Sequence, residues 1–227
     1  MFDHLPDRAD FASVVGQRLA DACGRPRWVS HAPPLDELIA TILSQHTSDL
    51  NSGRAFAALR ARFPTWREVL AADEADIADV IQCGGLAHLK APRIQRVLRA
   101  IDAEAGSLTL DWMRDWPLEQ AHAWLIALPG VGPKTAACVL LFSLGLPTMP
   151  VDTHVHRVGR RLGLIPADVS ANEAHAFFDR LIGPDRDAIY ALHLNLIQHG
   201  RITCKARDPA CERCALNDLC PSVFNVN

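Results

Sequence analysis

The sequence is poor in tyrosine, with one in 227 residues, and it shows few clusters of β-branched residues. No stretch alternates apolar and polar residues with the period of two that a half-buried strand needs. A sheet-built fold is thereby excluded, and the abundant alanine and leucine point to an all-α chain. No apolar run approaches the length of a membrane span. The N-terminus, MFDHLPDRAD, lacks a basic segment followed by an apolar one, so no secretory signal is expected. The expectation is a cytoplasmic protein with no membrane partner. Repeats and low-complexity tracts are also missing. An excess of positive charge is missing too: 23 Lys and Arg stand against 26 Asp and Glu, a net −3, which gives no global footprint for a polyanion.

What is present is a 49% hydrophobic composition, ample for a core, with the charge unevenly distributed. Between Gly84 and Ile101 stand Lys90, Arg93, Arg96 and Arg99 with no acid; Glu68, Asp73, Glu74, Asp76 and Asp79 gather just before them. Apolar periodicity predicts a helix over 10–23 with Phe11, Val14, Val15 and Leu19 on one stripe. A second is predicted over 35–45, and a third over 49–63 that packs Leu50, Phe56 and Leu59. Thr65 to Glu68 and Ser170 to Glu173 read as capping boxes, and Asp73 as the cap of another helix. Gly84-Gly85 breaks that helix, a further one follows from Lys90 to Ile101, and Pro117 starts one that runs to Ala127. Pro184 opens the last long helix, which ends near Gly200.

The chain is organised around residues 128–155, LPGVGPKTAACVLLFSLGLPTMPVDTHV. Gly130 and Gly132 flank Val131 in a tight turn, Pro133 suits the first position of a helix, and Gly145 closes it. A glycine turn that empties into a helix start directs backbone N–H groups, with the positive end of the helix dipole behind them, toward an anion such as phosphate. Lys134 sits on the lip of this seat. Asp152 returns eighteen residues later, and an amine paired with a carboxylate can do covalent chemistry.

LPGVGPKTA followed by VDTHVHRVGRRLGL closely resembles the helix-hairpin-helix and catalytic loop of the endonuclease III family of DNA glycosylases. The resemblance implies a two-lobed helix-hairpin-helix DNA glycosylase fold. One lobe is a six-helix bundle over 33–146. The other is a helical iron–sulfur domain made of 1–32 and 147–227, with the active site between the lobes. It implies double-stranded DNA containing damaged bases or abasic sites as partner, a monomer, and a nucleoid-associated protein if the source is bacterial. Lys134 becomes the nucleophile, in a partly desolvated cleft, and Asp152 the carboxylate that assists it. The turn residues Gly130, Val131 and Gly132, with Thr135, become the phosphate contacts. The family's usual substrates are oxidised pyrimidines.

Four of the seven cysteines close the chain as Cys204-x6-Cys211-x2-Cys214-x5-Cys220. In a cytosolic protein this density argues for a metal site, and thiolates alone suit either zinc or an iron–sulfur cluster. The resemblance decides for a [4Fe–4S] cluster, with the job of cross-linking a tail that buries little core. Cys23, Cys83 and Cys138 read as core thiols.

An enzyme that attacks a sugar carbon in duplex DNA must take the nucleotide out of the stack and support the hole. By resemblance, Gly85-Leu86-Ala87-His88 is the loop that wedges Leu86 into the duplex, with His88 beside it, and ILSQHTSD over 42–49 fills the vacated space. Here the sequence departs from the family pattern: His46 occupies the usual glutamine position and Gln45 precedes it. Either residue can probe the orphan base. His154 and His156 read as structural or phosphate-facing. Two other readings are a mismatch glycosylase, acting on thymine, uracil or adenine, and a non-catalytic helix-hairpin-helix iron–sulfur protein. The chain end seven residues after Cys220 counts against the adenine enzyme, and the presence of both Lys134 and Asp152 counts against the non-catalytic protein.

Overall fold

The structure, a computed structural model, describes residues 5–223, and among them it holds helices and turns but no strand. The α-helices are α1 (Leu5–Cys23), α2 (Pro34–Ser44), α3 (Asp49–Arg62), α4 (Trp66–Ala71), α5 (Glu74–Val80), α6 (Ala87–Ala105), α7 (Leu118–Ala127), α8 (Pro133–Cys138), α9 (Thr153–Leu162), α10 (Ala171–Ile182) and α11 (Arg186–Ile202). The chain divides into two compact units, one over Ser30–Leu144 and one that joins the chain up to Val29 with the chain from Gly145 onward.

In the first unit α2 is the central helix and packs against α3, α6 and α8. Leu35, Leu38, Ile39, Ile42 and Leu43 of α2 are all buried, each stabilising the fold by roughly 1.5–3 kcal/mol relative to exposure. Thr65 caps α4 in a full capping box with Glu68. Asp73 does stand at the start of α5, yet its side chain makes no capping bond. The helix that begins at Pro133 changes pitch at Val139 and continues as a π-helical stretch to Leu144 before Gly145 turns left-handed at φ 71°. All six residues of that stretch are buried.

In the second unit α11 packs against α1 and α9, over a core that includes Val15, Leu19, Val155, Val158, Phe178, Ile189 and Leu196. Phe178 of α10 lies over Gly159 so closely that a Cβ there would meet its ring at 2.8 Å. Ser170 and Glu173 form the second capping box, and α11 starts at Arg186 under an Asp185 cap, two residues later than the Pro184 start expected.

Two core expectations are corrected. Val14 is 46% exposed and Leu50 72% exposed. Val14 lies on the outward edge of α1's stripe, and Leu50 sits in the first turn of α3, beyond the stretch where Ser52, Ala55 and Leu59 meet their neighbours. Within the basic segment 84–101 one charge is not on the surface. Lys90 is buried at 2% exposure, because it lies four residues before Ile94 and seven before Val97, on the core stripe of α6.

Candidate functional site

The turn before α8 carries Gly130 at φ 78°, a left-handed conformation suited to glycine. It is also crossed by Arg93, and a Cβ on Gly130 would lie 2.5 Å from that side chain's Cδ and Nε. Val131 is buried and its N–H is bonded to the Leu128 carbonyl at 3.1 Å. The expectation that Val131 faces phosphate is therefore corrected: it anchors the turn. Thr135 is likewise buried, and its hydroxyl accepts from Gln45 Nε2 at 3.3 Å, so its side chain is a brace. Backbone donors without a helical acceptor come from the first turn of α8, at Lys134 and Thr135, whose N–H groups have no preceding helical carbonyl. The Lys134 side chain is half-buried at that turn.

Gln45 and His46 part company. Gln45 Oε1 accepts from Arg93 Nη1 at 2.7 Å, while its Nε2 donates to Thr135 and to the Gly130 carbonyl at 3.4 Å. It locks the loop after α2 onto the turn. His46 is exposed and stands at φ 56°. Leu86 has the same left-handed backbone, φ 51°, at the start of α6 and is 43% exposed, with His88 exposed two residues on. Non-glycine residues held in this region cost of order 1–3 kcal/mol and persist where their surroundings over-determine them.

Glu37 was not foreseen. It is half-buried on α2, its Oε1 accepts from the Thr41 hydroxyl at 3.4 Å, and it lies within electrostatic reach of Lys134. Burial pushes its carboxyl above the ordinary range, against the opposing pull of Thr41 and of the Lys134 charge. The legible signal was the second of two acids, Asp36 and Glu37, in the first turn of α2, placed one turn before Thr41.

In the other unit the loop after Gly145 is pinned by α10. Asp179 accepts from the Thr148 hydroxyl at 2.8 Å and from the Met149 N–H at 2.7 Å, and His175 Nδ1 donates to the Met149 carbonyl at 2.9 Å. This delivers Asp152 to the N-cap of α9, where Oδ1 accepts from the His154 and Val155 N–H groups at 2.8 and 2.7 Å. Both bonds fall on one oxygen, and Oδ2 takes none among the described residues. His156 Nε2 donates to the Val169 carbonyl, and His154 Nδ1 accepts from Arg157, so both histidines are tied into the fold.

Cys204, Cys211, Cys214 and Cys220 line one cavity of about 30 Å³. Burial first, and then the charges of the neighbouring cysteines, push the Cys214 and Cys220 thiols up. Four sulfurs around one cavity, two of them with raised thiol pKa values, fit a group that brings positive charge into their midst. N–H donors are already aimed at the sulfurs: Arg161 Nη1 at Cys204 and the Leu216 N–H at Cys214, both 3.4 Å. Of the remaining thiols, Cys138 is buried and Cys23 half-buried; Cys83 is exposed, which corrects the core reading for that residue.

Among the described residues no helix is long and apolar enough to cross a membrane. Comparison with known proteins gives two family models. One, HhH-GPD superfamily base excision DNA repair protein, matches residues 39–184; the other, iron-sulfur binding domain of endonuclease III, matches residues 204–220. The chain is 38% identical over 192 residues to "Putative DNA glycosylase At3g47830" of Arabidopsis thaliana, covering 83% of this chain and 65% of that protein. It thus spans just under two thirds of that relative's length. It is 32% identical over 195 residues to endonuclease III of Thermotoga maritima, with 86% of each chain covered. A structure of a non-covalent endonuclease III–DNA complex superposes with a TM-score of 0.81 at 28% identity, over 96% of this chain and 97% of that one. A model that spans well over half the chain, and a relative 32% identical with 86% of each chain covered, lead to one conclusion: the chain belongs to the HhH-GPD superfamily of base excision DNA repair proteins, in its endonuclease III family of [4Fe–4S] DNA glycosylases.

Proposed function

We propose that this protein is a bifunctional DNA glycosylase/AP lyase that removes oxidised pyrimidines from duplex DNA through a Schiff base on Lys134. The observation that carries the reading is the joint presence of Lys134 in the first turn of α8 and of a carboxylate at Asp152 whose Oδ2 is unengaged among the described residues.

The neutral amine of Lys134 attacks C1′ of the extruded nucleotide. The glycosidic C1′–N bond breaks, and its electron pair leaves with the base, which takes up a proton. Opening of the C1′–O4′ bond gives the protonated Schiff base. Loss of a C2′ proton then expels the 3′ phosphate in a β-elimination, and water releases the lysine. Asp152 stabilises the cationic sugar as the base departs and helps to deprotonate the amine. First-turn N–H groups of α8, with Arg93 beside Gly130, hold the phosphate, and Leu86 and His46 fill the space left by the base. Cys204, Cys211, Cys214 and Cys220 would hold the cluster, which when bound would cross-link the tail. Arg157 and Arg161 tie that tail to α9 and hence to Asp152.

Borohydride trapping tests the reading. The wild type is expected to form a covalent adduct on abasic and thymine glycol duplexes. Lys134→Gln is expected to lose trapping and strand cleavage while still binding damaged duplex. Base release from mismatched thymine, uracil or adenine, with no action on oxidised pyrimidines, would move the substrate to the mismatch class. Absence of trapping and nicking by the wild type on every duplex would leave a DNA-binding module.

A further inference from the structure

Lys90 is a buried cation with no carboxylate partner among the described residues. Its Nζ donates to the Leu43 carbonyl at 2.7 Å and to the Gly84 carbonyl at 2.8 Å. Both acceptors are carbonyls at the end of a helical segment. Leu43 belongs to the last turn of α2, and Gly84 ends the short 3₁₀ turn Gln82–Gly84. Terminal carbonyls have no helical donor, and they carry the negative end of the helix dipole, so a single ammonium caps two segments at once. The backbone of Lys90 completes the bracket, its N–H bonded to the Leu86 carbonyl at 3.0 Å.

Immediately past the two capped carbonyls the chain turns left-handed. His46, three residues after Leu43, has φ 56°; Gly85 and Leu86, one and two residues after Gly84, have φ 69° and 51°. The two loops proposed above to enter the duplex therefore leave from carbonyls held by the same nitrogen. Gly84 has no slack on its other side, where a Cβ would lie 2.9 Å from Cβ of Ala55. An apolar side chain in place of Lys90 would leave both carbonyls buried and unsatisfied.

We propose that Lys90 is a positioning residue that yokes the His46 loop to the Leu86 loop, so that the two insert into lesion-containing duplex as one unit. The inference rests on the DNA-inserting roles given to these loops under the proposed function, and it adds the coupling between them. Burial and the nearby Arg93 charge both press the Lys90 amine toward its neutral form, and the neutral amine still carries two N–H donors for the two carbonyls.

A double-mutant cycle reads the coupling directly. The probe is a duplex with a tetrahydrofuran abasic analogue, which cannot undergo lyase chemistry, and affinity is measured against intact duplex. His46→Ala and Leu86→Ala are each expected to lower lesion preference. Together they are expected to cost less than the product of their separate effects, by at least about fivefold, because displacing one loop already releases the other. In a Lys90→Met background the two effects are expected to multiply independently. Added methylammonium is expected to restore the coupling in Lys90→Ala. A residue that only stabilises the fold would lower affinity overall and leave the coupling unchanged. Independent effects in the wild-type background overturn the yoke even if the Lys90 variants do not fold. A wild type that prefers the lesion but shows no coupling removes the yoke and keeps the proposed function. A wild type with no lesion preference removes both.

Discussion

Arg161 donates from Nη1 to the sulfur of Cys204 at 3.4 Å, and from the same nitrogen to the Lys205 carbonyl at 2.6 Å. One helical turn earlier, Arg157 bonds the Cys204 and Gly200 carbonyls. The cluster loop and α9, the helix that Asp152 caps, are thus one hydrogen-bonded body. Purified protein is expected to contain roughly four irons with matching acid-labile sulfide. Cys204→Ala or Cys214→Ala should lose the cluster and lower the melting temperature, and base removal should fall as α9 loosens, whereas Cys23→Ala should do none of these. One zinc per chain with no sulfide would reject the cluster.

Gln45 and His46 are adjacent, yet they predict opposite phenotypes. Gln45 makes three side-chain bonds, to Arg93, Gly130 and Thr135. Gln45→Ala should cost about 1–2 kcal/mol of stability and weaken binding to damaged and intact duplex alike. His46→Ala removes an exposed side chain; stability should move by less than about 0.5 kcal/mol. Its effect should appear as altered preference among the four bases opposite an abasic analogue. Thermal melts and four binding isotherms separate the two, and a base preference that follows Gln45 instead would reverse the assignment.

Much of the fold was legible because its signals are local. Thr65–Glu68 and Ser170–Glu173 announce their helix starts in four residues, and Gly145 stops a helix where a left-handed residue is needed. What escaped depends on neighbours that periodicity does not name. Leu50 fits the stripe of α3 but is 72% exposed, whereas Lys90 occupies a core position because two helix ends need a donor there. The sequence VLLFSL carries no mark of the π-helical pitch over Val139–Leu144. At the site, the motif named Lys134 and Asp152, but the acid near Lys134 came from α2, almost a hundred residues away in sequence. Among the proposed phosphate contacts, the burial of Val131 and Thr135 follows from the turn packing on α2, which spacing does not encode.

Glu37 gives a pH signature with a definite sign. Its folded-state pKa lies above the ordinary value of 4.5, chiefly through burial. The folded state therefore holds this proton more tightly than the unfolded chain. The stability it contributes is present below about pH 4.5 and is lost as pH rises through the folded-state pKa. Glu37→Gln should match the wild type at pH 4 and exceed it in denaturant unfolding at pH 7. Lys134→Gln removes a charge that opposes the shift, so the wild-type slope should steepen in that background. A Glu37→Gln variant less stable than wild type at pH 7 would contradict this account.

Asp152 caps α9 through Oδ1; the proposed mechanism adds a second job, a charge at the reaction through Oδ2, and two substitutions tell the two apart. Asparagine keeps a carbonyl oxygen that can accept from the His154 and Val155 N–H groups, so Asp152→Asn should melt within about 0.5 kcal/mol of wild type. Alanine removes the acceptor and should cost about 1 kcal/mol. Both lose the charge, and both should slow base removal by roughly 10²-fold or more, since the cationic sugar is no longer balanced. Cleavage of a preformed abasic site should fall less, because that substrate has already lost its base and needs only the Lys134 amine and the elimination. Single-turnover rates on a thymine glycol duplex and on an abasic duplex give the two numbers for each variant. If Asp152→Asn removes base at the wild-type rate while Asp152→Ala is slow and unstable, the carboxylate is a cap and nothing more, and the charge at the reaction must come from elsewhere, with Glu37 the next acid to replace.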